Sequence, residues 1–236
     1  RFGEFVVYGN RGFEFSYFPF SQLWSMQHFL GDLDNIQWNF ITILKPNENI
    51  KFYNVFLVDE FRPGLVLEKN NRNWFAWQIG MITQNVLFED EITAEFSWID
   101  HRVYRHRFAI NDFYSNNYPL GFWAGPHSQE FLFNYKIDFK DFQLIMNYSN
   151  ATRGKVTNDM IINQYATKYY ERFSGTLEKK EMTTFSIEKS IFNSFLICFG
   201  INFIYWENAG FNPRDEVDDL LYDIQKTSYF IRLSNI

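Results

Sequence analysis

Arg102, Arg105 and Arg107 surround Tyr104, with His101 and His106 interleaved. Forked guanidinium–carboxylate bonds, with rings stacked on sugar faces, would let this run hold an acidic polysaccharide. The same arginines would equally serve lipopolysaccharide phosphates or the carboxylates of neighbouring loops. His101 and His106 fall on opposite sides of an extended strand, so they could share a metal only if the chain turned between them. Downstream, Tyr118-Pro119-Leu120-Gly121-Phe122-Trp123-Ala124-Gly125-Pro126-His127 places an indole in a glycine- and proline-rich segment. The indole could be offered to a sugar. The favoured reading of the segment is that it folds inward to constrict or plug an interior. Arg102, Tyr104, Arg105, Arg107, Trp123 and His127 form the candidate ligand-binding set.

Nothing in the chain points to catalysis. His127 and Ser128 are adjacent, which on an extended backbone places them poorly as base and nucleophile. No Gly-x-Ser-x-Gly, His-Glu-x-x-His or phosphate-binding glycine loop occurs. The paired carboxylates Glu91/Glu95 and Glu178/Glu188 are expected to face water and need no catalytic role. Asp215, Glu216, Asp218, Asp219 and Asp223 lack the spacing of a calcium loop and read as a solvated connection. The single cysteine, Cys198, excludes an internal disulfide and a cysteine-based metal site. No catalytic residue, metal ligand or cofactor is expected.

These residues need elements to position them, and composition indicates which. Of 236 residues, 21% are aromatic (29 Phe, 14 Tyr, 7 Trp), yet only 46% are apolar and the net charge is −6. The acidic balance argues against nucleic acid as the main partner. No apolar run is long enough for a spanning helix. The rings are interleaved with polar residues, the pattern required by a membrane β-barrel with rings toward lipid and polar groups toward its interior. Residues 91–99 carry it most clearly: Glu91, Thr93, Glu95 and Ser97 alternate with Ile92, Ala94, Phe96 and Trp98. A second alternating strand, 130–136, returns after the basic, ring-rich excursion.

About eleven segments alternate in this way. They are 4–8, 13–18, 35–44, 50–59, 74–82, 91–99, 130–136, 142–148, 177–189, 195–206 and 227–236, with a helix-like stretch at 22–30. Their connections alternate short and long, as in outer-membrane barrels with brief periplasmic turns and extended external loops. On this parity the first strand descends from the external side into the turn 9–12. That implies a single domain, residues 1–236, forming the C-terminal part of an all-β, up-and-down transmembrane barrel whose N-terminal strands are missing. A signal peptide is expected upstream.

Residues 4–19, Asp34-Asn35 and 49–61 resemble the later barrel strands of the Wzi family of capsule-assembly proteins. Tyr104-Arg105-His106, Ile110-Asn111 and Pro119-Leu120-Gly121 through Gly125-Pro126 are also similar to that family, although His127-Ser128 stand where an Asn or Asp would be expected nearby. The resemblance implies an eighteen-stranded barrel in the Gram-negative outer membrane, with its long loops extracellular. It implies binding of capsular or other surface polysaccharide and help in attaching it. Outer-membrane lipids, including lipopolysaccharide, are the other expected partners, and the barrel is expected to be monomeric. A porin-like channel for small solutes is the alternative function, and a soluble β-sandwich the alternative fold.

Overall fold

Alternation along the sequence becomes one antiparallel meander. The computed structural model describes residues 1–9, 12, 17, 34–62, 64, 68, 73–115, 118–163, 166, 169–191, 195–211 and 220–235. Its strands are β1 (Phe2–Val7), β2 (Asn35–Asn47), β3 (Ile50–Glu60), β4 (Trp74–Gln84), β5 (Asp90–Ile99), β6 (Tyr114–Ser115), β7 (Tyr118–Pro119), β8 (Ser128–Phe139), β9 (Phe142–Gly154), β10 (Leu177–Ile191), β11 (Phe195–Glu207) and β12 (Ile224–Asn235). Ten of them pair in chain order in a single sheet, while β6 and β7 form a small ribbon inside the 100–127 connection. Among the described residues β1 and β12 each pair on one side only, so the sheet is open.

The two faces differ in kind. One carries Gln37, Gln78, Glu95, Ser97, Glu130, Asn134, Asn147, Glu178, Thr184 and Asn202, tied across strands by side-chain hydrogen bonds. Examples are Gln78 Nε2 to Glu95 Oε1 at 2.8 Å and Thr184 Oγ1 to Asn202 Oδ1 at 2.8 Å. The other carries Phe40, Phe52, Trp77, Ile79, Phe96, Phe131, Phe185, Phe199, Phe203 and Ile231, all exposed. The polar face is therefore the more buried one. A sheet folding in water does the reverse.

The exposed apolar positions do not follow a rung of the hydrogen-bond ladder. One ring-face rung reads Phe96–Phe131–Asn150–Glu181–Tyr205–Gln225 and turns polar toward β12. A rung nearer the short turns reads Asp90–Ile137–Leu144–Ile187–Phe199–Ile231 and turns apolar. The band crosses the sheet on a slant.

Short connections (48–49, 85–89, 140–141, 192–194) all lie at one end, and long ones (8–34, 61–73, 100–127, 155–176, 208–223) at the other. Local chemistry closes the tight turns. Asp90 accepts from the Val86 and Leu87 amides at 2.7 and 3.3 Å, and Asn47 accepts from the Asn49 amide at 2.9 Å.

The first hairpin differs from expectation. The strand expected at 13–18 and the helix-like 22–30 lie, apart from Tyr17, outside the described residues. β1 pairs with β2, Phe2 opposite Phe40 and Val7 opposite Asn35. It therefore runs toward the long-connection end, where an added Cβ on Gly9 would overlap Ile110. The parity argument fails with it: the first strand rises toward that end and does not descend from it. The physical reason is that the ladder edge assigned to β2 is the one β1 occupies. A local turn signal in residues 9–12 carries no information about that partner.

Candidate functional site

The 100–127 excursion folds back over the polar face of β2–β5. Its start is set by Asp100, whose carboxylate accepts from the Arg102 amide, Nε and Nη2 at 2.9, 2.8 and 3.0 Å. Burial opposes the charge on Asp100, but the Arg102 bonds, with His101 beside it, hold the carboxyl below its ordinary value. Tyr104 then turns the chain at φ +71°. Its amide donates to Asp59 Oδ2 at 3.0 Å, its hydroxyl accepts from the Phe122 amide at 3.1 Å, and its ring stacks on Phe113. Burial pushes the Tyr104 phenol up. Gly121 is required beneath that ring, because a Cβ there would overlap the hydroxyl. Val103, Tyr104 and Phe113 close on Leu57, Trp74, Ala76 and Ile99 to form a small apolar core on an otherwise polar face.

A cavity of about 440 Å³ remains between the excursion and the sheet. Leu57, Ala76, Gln78 and Ser97 line it from the sheet, and Phe113, Phe122 and Trp123 from the excursion. Among the described residues no charged side chain lines it.

At its edge Trp123, 48% exposed, donates Nε1–H to Glu130 Oε2 at 2.9 Å. The Arg153 guanidinium and the Lys180 ammonium each lie 5.9 Å from the Trp123 ring, and Lys180 sits 4.6 Å over Trp206. Glu178 accepts from Trp206 Nε1 at 2.8 Å and from Arg153 Nε. Strand parity brings the group together, since Glu130, Ala151, Lys180 and Trp206 share one rung of the polar face. Two indoles, two cations and two carboxylates thus meet beside an uncharged cavity.

A second knot anchors the far end of the excursion. His127, 1% exposed, holds its Nδ1 2.7 Å from the Lys155 carbonyl and accepts from the Phe173 amide at Nε2 at 2.9 Å. Its ring stacks on Phe173 and meets His101 edge-on. Burial pushes the imidazole down to about 4, against the Lys155 carbonyl bond that favours its charge; His101 is lowered too, again chiefly by burial. Gly154 makes room, since a Cβ there would strike the His127 ring. Arg172 donates to the carbonyls of Ile99 and Ser128 at 2.8 and 2.7 Å, between Trp98 and Phe173. Burial draws its guanidinium down to about 10, against the pull of Asp100.

The six candidate residues therefore separate. Trp123 and Tyr104 line the cavity. Arg102 pairs with Asp100, and Arg105, buried, lies 3.0 Å from Asp112 through Nε. Arg107 is exposed and stacks over Phe108. His127 is a buried anchor. Of the acidic run in the last long connection, Asp215, Glu216, Asp218 and Asp219 lie outside the described residues, and Asp223 accepts from the Asn208 amide. Among the described residues no group of three or more His, Cys, Asp or Glu is placed to hold a metal ion. The sequence reading missed Arg153, Lys180 and Trp206 as partners of Trp123. Alternation put Glu130, Glu178 and Lys180 on the polar face, but register alone places them beside an indole. Comparison with family models, with curated proteins and with solved structures finds no match for this chain.

Proposed function

We propose that this chain forms part of an outer-membrane β-barrel that binds surface polysaccharide, without catalysis, at the end carrying the long connections. The observation that carries this reading is the inverted polarity of the sheet. From β2 to β5 and β8 to β12 each strand stands at least one exposed ring on one face, while the polar side chains of the other are bonded across strands and, beneath the excursion, buried. Contiguous apolar surface on that scale is unfavourable in water and ordinary against hydrocarbon. Segregation of the long connections to one end agrees with external loops, and the Wzi-like motifs agree with a capsular or related polymer as ligand. The indole–cation–carboxylate cluster and its cavity supply a place for sugar: rings to stack on its C–H faces, carboxylates and amides for its hydroxyls. Lipids, lipopolysaccharide among them, cover the ring face, and a monomeric barrel suffices.

The test is reconstitution followed by pull-down on purified capsular polysaccharide. Partition into detergent, heat-modifiable gel mobility and retention of the polymer are expected. A protein that stays monomeric and soluble without detergent would sink the reading. A solute channel is the second reading, favoured by the wet character of the polar face away from the excursion, where Lys136 Nζ lies 3.4 Å from Glu91 and Arg232 reaches Glu188.

A further inference from the structure

The distribution of charge around the excursion cavity points to the class of sugar it takes. Among the described residues no charged side chain lines the cavity. The cations near it are engaged: Arg153 with Glu178, Lys180 against Trp206, Arg102 with Asp100 and Arg105 with Asp112. Glu95 and Glu130 lie on the same polar face close by, Glu95 bonded to Gln78 and Glu130 to Trp123. An anionic sugar entering here would lose the hydration of its charge, meet like charge, and have to draw Lys180 off the Trp206 ring or a guanidinium from an existing pair. An uncharged pyranose meets no like charge and breaks no ion pair, and hydrogen bonds to the lining replace the hydration its hydroxyls lose. Its C–H faces match Trp123, Phe122 and Phe113, and its hydroxyls match Gln78 and Ser97. The volume, about 440 Å³, lies within the ~300–1,000 Å³ of small-ligand sites.

We propose that the cavity receives an uncharged pyranose unit of the bound polymer, stacked on Trp123, and that anionic units are held outside it. This inference rests on the polysaccharide-binding reading above.

The experiment measures binding by the detergent-solubilised full chain to an uncharged panel (dextran, mannan, galactan, chitotetraose) and an acidic one (polygalacturonate, alginate, hyaluronate). Binding within the uncharged panel is expected. Its Kd should change less than about threefold between roughly 50 and 500 mM salt, because no ion pair is formed. Trp123→Ala should weaken it by about tenfold or more, and Trp123→Phe should restore most of the loss. Heat-modifiable mobility checks that each variant folds. Binding confined to the acidic panel, a steep salt dependence, or indifference to Trp123→Ala overturns the inference and leaves polysaccharide binding standing. Binding to no polymer in either panel overturns both.

Discussion

His127 needs a neutral ring, because a single imidazole both approaches the Lys155 carbonyl through Nδ1 and accepts from the Phe173 amide at Nε2. Its folded value of about 4 lies below the ordinary 6.5, so the unfolded or released ring binds the proton more readily. The contribution is fully present above about pH 6.5, and it is lost progressively as pH falls toward 4, up to roughly 3 kcal/mol. Amide protection of residues 102–107, corrected for the intrinsic exchange rate at each pH, should therefore fall over that window in wild type and change little with pH in His127→Gln. An identical acid profile in the variant would remove His127 from the account. Arg172→Ala deletes two charged hydrogen bonds to the Ile99 and Ser128 carbonyls. It should loosen the 100–127 excursion by about 2–3 kcal/mol in amide exchange, with the strands beneath unaffected. Neither role was legible in the sequence. Arg172 sits in a polar stretch between β9 and β10, and only the rings at Tyr169, Tyr170 and Phe173 hinted that the stretch packs against anything. Of the arginine run, the alternative of pairing with loop carboxylates describes Arg102 and Arg105; what alternation could not tell was that Asp112 turns back to meet Arg105.

At the scale of elements, two faces of opposite character were legible strand by strand, because a side-chain period of two writes the face directly into the chain. β9 shows the limit. Its apolar series Phe142, Leu144, Met146 and Tyr148 ends, yet the strand continues to Gly154. Asn150 and Thr152 have left the apolar band, while Ala151 and Arg153 still pair with Glu130 and Glu178. The alternation in the sequence records the band, whereas the ladder is held by backbone bonds that side chains do not report. The pairing of β1 was illegible for the same reason. The band itself is testable at one position: Phe199, exposed on the ring face of β11. Phe199→Arg should cost about 2–4 kcal/mol in a folding titration into bilayers if that face meets hydrocarbon. A change near zero would place it in water. Gly121→Ala should cost about 1–3 kcal/mol, by forcing the buried Tyr104 ring off its place.

At the scale of the molecule, the excursion packs an apolar core onto the polar face, and in the proposed barrel that face would be the interior, blocked at this part. Planar-bilayer recordings should show little current from the wild-type protein. Steady conductance steps would favour the solute channel. Deleting residues 103–122 should raise any residual current, since Val103, Tyr104 and Phe113 form the contact that seals the excursion to β3–β5.

The slanted apolar band has a geometrical consequence. A hydrocarbon slab is level, so a band that drifts from Phe96 on β5 to Ile231 on β12, across rungs that lie square to the strands, is level only if the strands lean. From β5 to β10 the upper limit of the band steps toward the short turns, through Trp98, Phe131, Tyr148 and Phe185, and after β11 reaches back to Tyr205 it falls again in β12, so the net lean has one sense, the stagger that an inclined hoop of strands requires. Polarised infrared spectra of oriented bilayers should then give strand axes at roughly 35–45° from the membrane normal. Upright strands would set Glu181 level with Phe96 and Lys179 level with Trp98, a cost of about 2–4 kcal/mol for a lysine at the middle of a bilayer and less for a glutamate.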